Sequence, residues 1–156
     1  MLAKHRRQAQ SIGLITGCFD LLHAGHIGLF HYAKKHVDIL VVGLENDSTI
    51  ALSKGQGRPV HNLRQRSEIL SELTSVDYIF TIPIVVKFGS GADIQKQYVD
   101  LVASIQPDYL ITSPAADRYW QHKEAGLRPL GIRLLKFNAR LPVSTTSLIG
   151  QLRKEI

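Results

Sequence analysis

The chain contains a single cysteine, Cys18, among its 156 residues. One thiol cannot form an internal disulfide or a multi-cysteine zinc site, which indicates a reducing compartment. The sequence also lacks an apolar run of about 18 residues, the length needed to span a bilayer. Its basic start, MLAKHRRQAQ, is followed by neither the apolar region nor the small-residue cleavage site of a secretory signal. We therefore expect a cytoplasmic protein that is not embedded in a membrane.

Aromatic residues are scarce at 7% of the chain, whereas the formal net charge is +6. An excess of positive charge favours polyanionic partners, either nucleic acid or a phosphate-rich small molecule. The lysines and arginines are spread along the chain and are not interleaved with the aromatic side chains that stack on single-stranded bases. The distribution does not favour a dedicated nucleic-acid binder.

Short apolar runs alternate with segments of helical periodicity along the whole chain. The apolar runs are rich in Ile, Val and Leu without clean alternation, which is typical of parallel strands covered on both faces. We predict strands at 11–16, 37–44, 76–82, 107–112 and 131–137. We predict helices at 26–36, 62–74, 94–105 and 116–126, and a last helix from Ser144. The pattern predicts an α/β fold, a single Rossmann-like three-layer domain over residues 1–156 with a five-stranded parallel sheet.

Two glycine-containing connections interrupt this pattern. LSKGQGRPV, at 52–60, combines glycines with Lys54 and Arg58, and PIVVKFGSGAD, at 83–93, is longer. Glycine-rich segments between periodic ones are typical of loops. The second connection has two open interpretations, a lid or a dimer contact.

Two histidines follow the first predicted strand in GCFDLLHAGH, residues 17–26. Open parallel sheets bind ligands beyond the carboxyl ends of their strands. Gly17 allows a tight turn of the backbone. Gly25 allows another group to approach the main chain closely at a helix start, where unpaired N–H groups attract anions. His23 and His26 lie three residues apart and can therefore point toward one place above the helix end. This stretch predicts a phosphate site.

Other interpretations of the two histidines are weaker or remain open. The Walker loop, the G-x-G-x-x-G fingerprint and H-E-x-x-H are absent. A metal site on His23 and His26 would need a third ligand such as Asp20, and this spacing fits no standard zinc pattern. Two structural histidines that cap a loop are the plain alternative.

The stretch GCFDLLHAGH closely resembles the signature of the cytidylyltransferase-like nucleotidyltransferases, G-[TC]-F-D-x-x-H-x-G-H. Three later segments are similar to further motifs of that family, in the same order: LSKGQGRPV, RQRSEILSELTSVDYI and VSTTSLI. The resemblance implies the fold of the HIGH nucleotidyltransferases and transfer of a nucleoside monophosphate from an NTP to a phosphorylated acceptor, with release of pyrophosphate. It also implies a homodimer, and Mg²⁺ that accompanies the NTP on its phosphate oxygens, with no metal ligand from protein side chains.

The resemblance also implies roles for individual residues. His23, His26 and Lys54 would be catalytic, with the histidines holding the NTP phosphates and the lysine closing over them. The implied nucleotide-binding residues are Gly17, Cys18, Phe19, Asp20, Gly25, Arg66, Ser144, Thr145 and Thr146. Plainer alternatives stay open: a turn residue for Asp20, a solvated lysine, an exposed helix arginine, a buried thiol and a simple helix cap at 144–146.

No protein nucleophile or general base is needed for this reaction. A phosphate monoester, with a second pKa of about 6, is already mostly ionised near neutral pH. Its oxygen can attack the α-phosphorus while the protein supplies positioning and positive charge. This explains why no acidic residue stands beside the two histidines.

The resemblance extends to the acceptor, with one departure from the family pattern. The sequence is most like heptose 1-phosphate adenylyltransferases, with glycerol-3-phosphate cytidylyltransferases second, but TSPAADRYW stands where those families have K-G-G-D-Y or G-H-D-W. Four residues are weaker candidates for contacting the acceptor or the base: Arg58, Asp117, Trp120 and Arg140. We predict ATP with a sugar phosphate. The alternatives are CTP with an alcohol phosphate, ATP with a flavin phosphate, and a nucleotide-binding module without turnover.

Overall fold

A five-stranded parallel sheet forms the centre of the computed structural model, which describes residues 2–85, 91–139 and 144–152. The strands are β1 (Ile12–Gly17), β2 (Ile39–Leu44), β3 (Tyr78–Thr81), β4 (Tyr109–Thr112) and β5 (Arg133–Lys136). Their order is β3-β2-β1-β4-β5, and all neighbouring pairs are parallel. This confirms the predicted fold class, with each strand within two residues of its predicted start.

The helices lie between the strands and at both ends of the described chain. They are α1 (Leu2–Arg7), α2 (Ala24–Lys34), α3 (Asp47–Lys54), α4 (Leu63–Ser71), α5 (Gly91–Ile105), α6 (Trp120–Leu127) and α7 (Thr145–Leu152). A 3₁₀ helix, Arg128–Leu130, follows α6. Among the described residues, none of the helices combines the length and the apolar composition that spanning a bilayer requires.

Two apolar clusters cover the two faces of the sheet. One contains Phe30 of α2 and Leu70 of α4, and the other contains Val102 of α5 and Leu127 of α6. All six residues of β2 are buried, as expected for a strand covered on both faces. The arrangement is therefore three-layered, and it leaves the strand ends as the places where polar side chains can meet.

Aspartates fix the amino edge of the sheet. Asp38, Asp77 and Asp108 each precede a strand, and each carboxylate accepts a backbone N–H at the start of the neighbouring strand, at 2.6 to 2.8 Å. The first N–H groups of a strand otherwise lack ladder partners, so these bonds satisfy them and fix the register. Helix α1 lies at the same edge, where His5 Nε2 is 2.6 Å from the Tyr78 hydroxyl and Arg6 donates to the Ile105 carbonyl.

The segment between β2 and β3 differs from its prediction. Helix α3 extends through Leu52, Ser53 and Lys54, which the glycines of LSKGQGRPV had assigned to a loop. Asn46 caps this helix by accepting from Thr49 N at 2.8 Å, and Gly55, with φ of 88°, ends it. Lys54 is therefore the last residue of a helix. The 83–93 connection is shortened by α5, which begins at Gly91, and its residues 86–90 lie outside the described ranges.

Candidate active site

The loop between β1 and α2 turns at Phe19 rather than at Gly17. Phe19 has a φ of 46°, and its side chain is buried against His26 and Phe30, with ring centroids 5.2 Å from each. A Cβ on Gly17 would lie 3.1 Å from the Phe19 ring, closer than an ordinary contact. The tight turn predicted at Gly17 therefore lies at Phe19. Gly17 lacks a Cβ, and this allows the Phe19 ring to approach its backbone closely.

His23 begins α2 as its N-cap residue. Its Nδ1 accepts a hydrogen bond from Gly25 N at 3.1 Å. The neutral imidazole must then carry its hydrogen on Nε2, because a ring nitrogen that accepts is not protonated. His23 therefore presents an Nε2–H donor away from the helix.

His26 stacks on His23 with ring centroids 3.8 Å apart. Burial, reinforced by the charges of His23 and Lys54, lowers the pKa of His26 to about 4, and burial also lowers the pKa of His23. His26 Nδ1 is buried and has no hydrogen-bond partner in the part of the chain that the structure describes. A hydrogen at that nitrogen would be left unsatisfied, so we assign it to Nε2 as well. The pair is a stack of two neutral imidazoles at the start of α2.

Asp20 joins the β1–α2 loop to the segment that precedes α4. Its buried carboxylate accepts from Val60 N at 2.8 Å and His61 N at 2.9 Å, and it pairs with Arg58 Nη2 at 2.7 Å. Burial pushes the pKa of Asp20 up, but the two backbone hydrogen bonds and the Arg58 charge outweigh it, so the pKa is lowered. Asp20 is thus an ionised anchor between two loops.

Arg58 does not present its charge to the cleft as the sequence suggested. Its side chain is 11% exposed, and Nε and Nη2 both contact the Asp20 carboxylate. A guanidinium neutralised in this way adds little field for a phosphate. Arg58 therefore helps to hold the two loops together through Asp20.

Arg66 is also placed differently from its prediction, because the residue is buried, with only 1% of its surface exposed. Nη1 donates to Cys18 O at 2.6 Å, Nε donates to His61 O at 3.1 Å, and Nη2 donates to Glu45 O at 2.8 Å and Asp47 Oδ1 at 2.7 Å. Four of its five N–H donors are therefore used inside the protein. A direct contact with a nucleotide would require this residue to leave its partners, so we interpret Arg66 as the residue that holds the loops after β1 and β2 together.

Lys54 lies at the end of α3, exposed, and close to the histidine stack. Its charge lowers the pKa of both His26 and Cys18. Among the described residues it forms no ion pair within 4 Å. Its ammonium group is therefore available to an incoming anion.

Cys18 and Glu45 meet where β1 and β2 end. The Cys18 thiol donates to Glu45 Oε2 at 2.9 Å. Burial first, and then the charge and hydrogen bond of Glu45, raise the pKa of Cys18 to about 12. Cys18 is therefore a protonated thiol at neutral pH and unsuited to act as a nucleophile.

Beyond β4, a polar cluster surrounds Asp117. Its carboxylate accepts from Thr112 Oγ1 at 3.0 Å, Tyr119 N at 3.0 Å and Lys123 Nζ at 2.8 Å. Burial alone would lower the pKa of Lys123, but neighbouring Tyr98 and Asp117 outweigh it and raise the pKa. Asp117 thus fixes the loop between β4 and α6, and the buried ammonium group of Lys123 stays charged.

Trp120 and the start of α7 complete the edge. Lys136 Nζ lies 4.1 Å from the centre of the Trp120 ring, which is half-buried.

Thr145 is buried and donates to Leu21 O at 3.2 Å, which brings the start of α7 to the β1–α2 loop. Ser144 Oγ accepts from Ser147 N at 3.1 Å, so its hydroxyl caps the helix, whereas Thr146 is exposed. Arg140 lies outside the described residues.

The donor groups near the histidines do not form a metal cage. No group of three His, Cys, Asp or Glu side chains in the described ranges could hold a metal ion. Two carboxylates near this edge already have cationic partners, the buried Asp20 with Arg58 and the partly exposed Asp47 with Arg66. A divalent cation at this edge would depend on oxygen atoms that a ligand brings with it.

Sequence reasoning missed Glu45, Lys123 and the contact between the Thr16 and Tyr98 hydroxyl groups, which are 2.7 Å apart. Glu45 could have been found, because it directly follows a buried strand at the edge where ligands bind. Lys123 carried no such signal, since a lysine on a predicted amphipathic helix is usually solvated.

A family model described as Cytidylyltransferase-like matches residues 14–151. A protein named Bifunctional protein HldE from Desulfatibacillum aliphaticivorans is 35% identical over 150 residues, covering 95% of this chain and 28% of that protein. One of the same name from Mesorhizobium japonicum is 35% identical over 156 residues, covering 98% of this chain and 29% of that protein. The chain therefore spans less than a third of the length of these relatives.

Solved structures share the fold. The lipopolysaccharide core biosynthesis protein from Thermoplasma volcanium superposes with a TM-score of 0.63 at 26% identity, covering 85% of this chain and 99% of that one. A bifunctional NMN adenylyltransferase/ADP ribose pyrophosphatase from Francisella tularensis, solved with AMP and a manganese ion, superposes with a TM-score of 0.64, covering 94% of this chain and 42% of that one. At 11% identity, the second likeness shows the fold alone.

Proposed function

The chain belongs to the cytidylyltransferase-like family, and on that premise we propose that it is a nucleotidyltransferase that transfers AMP from ATP to a sugar phosphate. The observation that carries the proposal is the stack of His23 and His26 at the start of α2, with exposed Lys54 close by. The start of α7, tied to the same loop through Thr145, provides a second helix end for the triphosphate. The preference for ATP and a sugar phosphate rests on the sequence resemblance to heptose 1-phosphate adenylyltransferases and on the similarity to the HldE proteins.

In the proposed mechanism, a phosphate oxygen of the acceptor attacks the α-phosphorus in line. A new P–O bond forms to the acceptor, the bond from the α-phosphorus to the bridging oxygen breaks, and pyrophosphate leaves with that electron pair. The Nε2–H groups of His23 and His26 donate to phosphate oxygens as charge develops on them. Because both imidazoles are neutral, they serve as hydrogen-bond donors, while Lys54 supplies positive charge.

We propose that the nucleotide substrate is MgATP, with the cation held by the phosphate oxygens and water. This fits a site at which the carboxylates of Asp20 and Asp47 are already engaged by arginines. We also propose that residues 1–156 form one nucleotidyltransferase domain, which works in the cytoplasm as a homodimer. Light scattering of the purified chain tests the last of these, and a monomeric mass at working concentration would contradict it.

The test of the activity is pyrophosphate release over a matrix of ATP, CTP and phosphorylated acceptors: heptose 1-phosphate, glycerol 3-phosphate and flavin mononucleotide. We expect ATP with the heptose phosphate to be the best pair. His26→Ala should lower kcat by about 100- to 1,000-fold, the usual cost of one lost donor to developing charge. His31→Ala is the matched control, because His31 lies on the exposed side of the same helix.

Three results would overturn the proposal in whole or in part. His26→Ala with unchanged kcat would remove the histidine stack from the reaction. Calorimetry that detects ATP binding while no acceptor is converted would identify a nucleotide-binding module without turnover. Activity with CTP and glycerol 3-phosphate alone would keep the reaction type and replace the substrates.

A further inference from the structure

We propose that Glu45 recognises hydroxyl groups of the acceptor and is the residue that selects a polyhydroxylated phosphate over simpler phosphates. The inference rests on the proposed function and adds a specificity residue to it. Glu45 directly follows β2, next to the loop that carries His23 and His26.

The backbone of Glu45 is fixed on both sides. Its N–H donates to Gly17 O at 3.0 Å, and its carbonyl accepts from Arg66 Nη2 at 2.8 Å. The half-buried side chain is oriented by Cys18, whose thiol donates to Oε2 at 2.9 Å. In the part of the chain that the structure describes, Oε1 has no hydrogen-bond donor and the carboxylate has no ion pair within 4 Å. One acceptor atom is therefore oriented and unused.

A carboxylate is out of place in a cleft that must hold two anionic substrates. Like charges repel, so the Glu45 carboxylate weakens the binding of a phosphate substrate. A direct contact between that substrate and the carboxylate would offset the repulsion. Its neighbours limit what that contact can be. The charge of Lys54 acts on Cys18, the hydrogen-bond partner of Glu45, and the charge of Glu45 helps to raise the pKa of Lys123, so two ammonium groups lie in the electrostatic neighbourhood of this carboxylate.

The chemistry of a carboxylate requires a donor or a cation as its partner. A divalent cation is disfavoured, because Oε2 is occupied by the Cys18 thiol, the neighbouring ammonium groups repel it, and no three-ligand cluster exists among the described residues. The same ammonium groups disfavour an amine on the acceptor. Hydroxyl groups remain, and a sugar supplies several of them at fixed positions.

The test compares the wild-type protein with Glu45→Gln at saturating MgATP, using heptose 1-phosphate and ethyl phosphate as acceptors. For the heptose phosphate we expect kcat/KM to fall about 10- to 100-fold, the effect of one hydrogen bond to a charged group. For ethyl phosphate, which has no hydroxyl group, we expect an unchanged or higher kcat/KM because the repulsion is removed. The KM for ATP and the Mg²⁺ dependence should not change. Glu68→Gln, at an exposed carboxylate on α4, is the matched control.

The outcomes separate the inference from the function. If the wild-type protein converts no sugar phosphate, the proposed function fails and the inference fails with it. If it does and Glu45→Gln is neutral, only the inference fails. An equal loss with both acceptors would mean that Glu45 is merely structural, and a shifted Mg²⁺ dependence would make it a metal ligand; either result overturns the proposal. Glu45→Asp, which keeps the charge on a shorter side chain, should retain more heptose phosphate activity than Glu45→Gln.

Discussion

Replacing Arg66 distinguishes a residue that holds the loops from one that binds a nucleotide. Arg66→Met keeps most of the aliphatic volume and removes all four hydrogen bonds. The carbonyl groups of Cys18, Glu45 and His61 then lose their common donor, and the Asp47 carboxylate loses its cation. We expect the free energy of unfolding to fall by about 3–5 kcal/mol, the usual cost of removing one partner from a buried charged network. This is a large part of the 5–15 kcal/mol that stabilises a typical domain.

The assay is urea-induced unfolding followed by circular dichroism, with the midpoint shifting and the slope unchanged. Asp47→Asn is the comparison variant. Asparagine keeps the Oδ1 acceptor and removes only the charge of a side chain that is 43% exposed, and Arg66 keeps its three carbonyl partners, so the cost should be smaller, about 1–2 kcal/mol. Catalysis by Arg66→Met should be measured at low temperature, where the folded fraction is high.

The opposite pattern would refute this interpretation. If Arg66→Met unfolds within about 1 kcal/mol of the wild-type protein but no longer binds ATP, then the guanidinium acts on the nucleotide and its contacts with the loops are unimportant. Arg66→Lys sharpens the comparison, because a lysine keeps the charge but cannot reach four acceptors in one plane.

Three further predictions concern the edge of the sheet and its core. The pKa of His26 is lowered to about 4 in the folded protein and is about 6.5 in an unfolded chain, so the unfolded state binds more protons between these values. The free energy of unfolding should therefore fall by up to about 3 kcal/mol from pH 7 to pH 4. His26→Gln, tested by urea unfolding across that range, should lose this pH dependence. An unchanged profile in the variant would contradict the lowered pKa of His26. Because the pKa of Cys18 is raised to about 12, iodoacetamide at pH 8 should alkylate it at least about 100-fold more slowly than in urea, and equal rates would show an accessible thiol. Gly13→Ala should destabilise the protein by about 1–3 kcal/mol, since the new Cβ would lie 2.7 Å from Ile111 Cδ1. The control Gly150→Ala, in open space on α7, should be neutral or stabilising by less than about 1 kcal/mol. Comparable melting temperatures of the two variants would contradict this prediction.

The fold was predictable because its signal is local. Runs such as VDILVVGL are buried on both faces and contain few polar interruptions, so their apolar composition identifies them as strands. Helix α3 was not predicted because its local apolar signal is weak. Only Thr49 and Ile50 of this helix are buried, and the glycines at 55 and 57 dominate the pattern that follows.

The candidate site was only partly predictable from the sequence. The order strand, glycine, histidine, histidine indicates a helix start, and the structure has His23 as the cap of α2. Arg66 shows the limit of such reasoning, because its burial depends on partners at positions 18, 45, 47 and 61, which come together only when the sheet has formed. Helical periodicity identifies the apolar face of α4 and gives no sign that a charged side chain is buried on it. The roles of His23, His26, Lys54 and the 144–146 segment stay predictions.

The placement of α1 has a practical consequence for binding measurements. Its contacts are with the beginning of β3 and the end of α5, at the edge where the strands start, and the histidine stack lies at the edge where they finish. A biosensor surface, fluorophore or fused carrier joined through Leu2–Arg7 would be separated from the incoming ligands by the full length of the strands. Immobilising the protein in that orientation should leave diffusion to the cleft unobstructed.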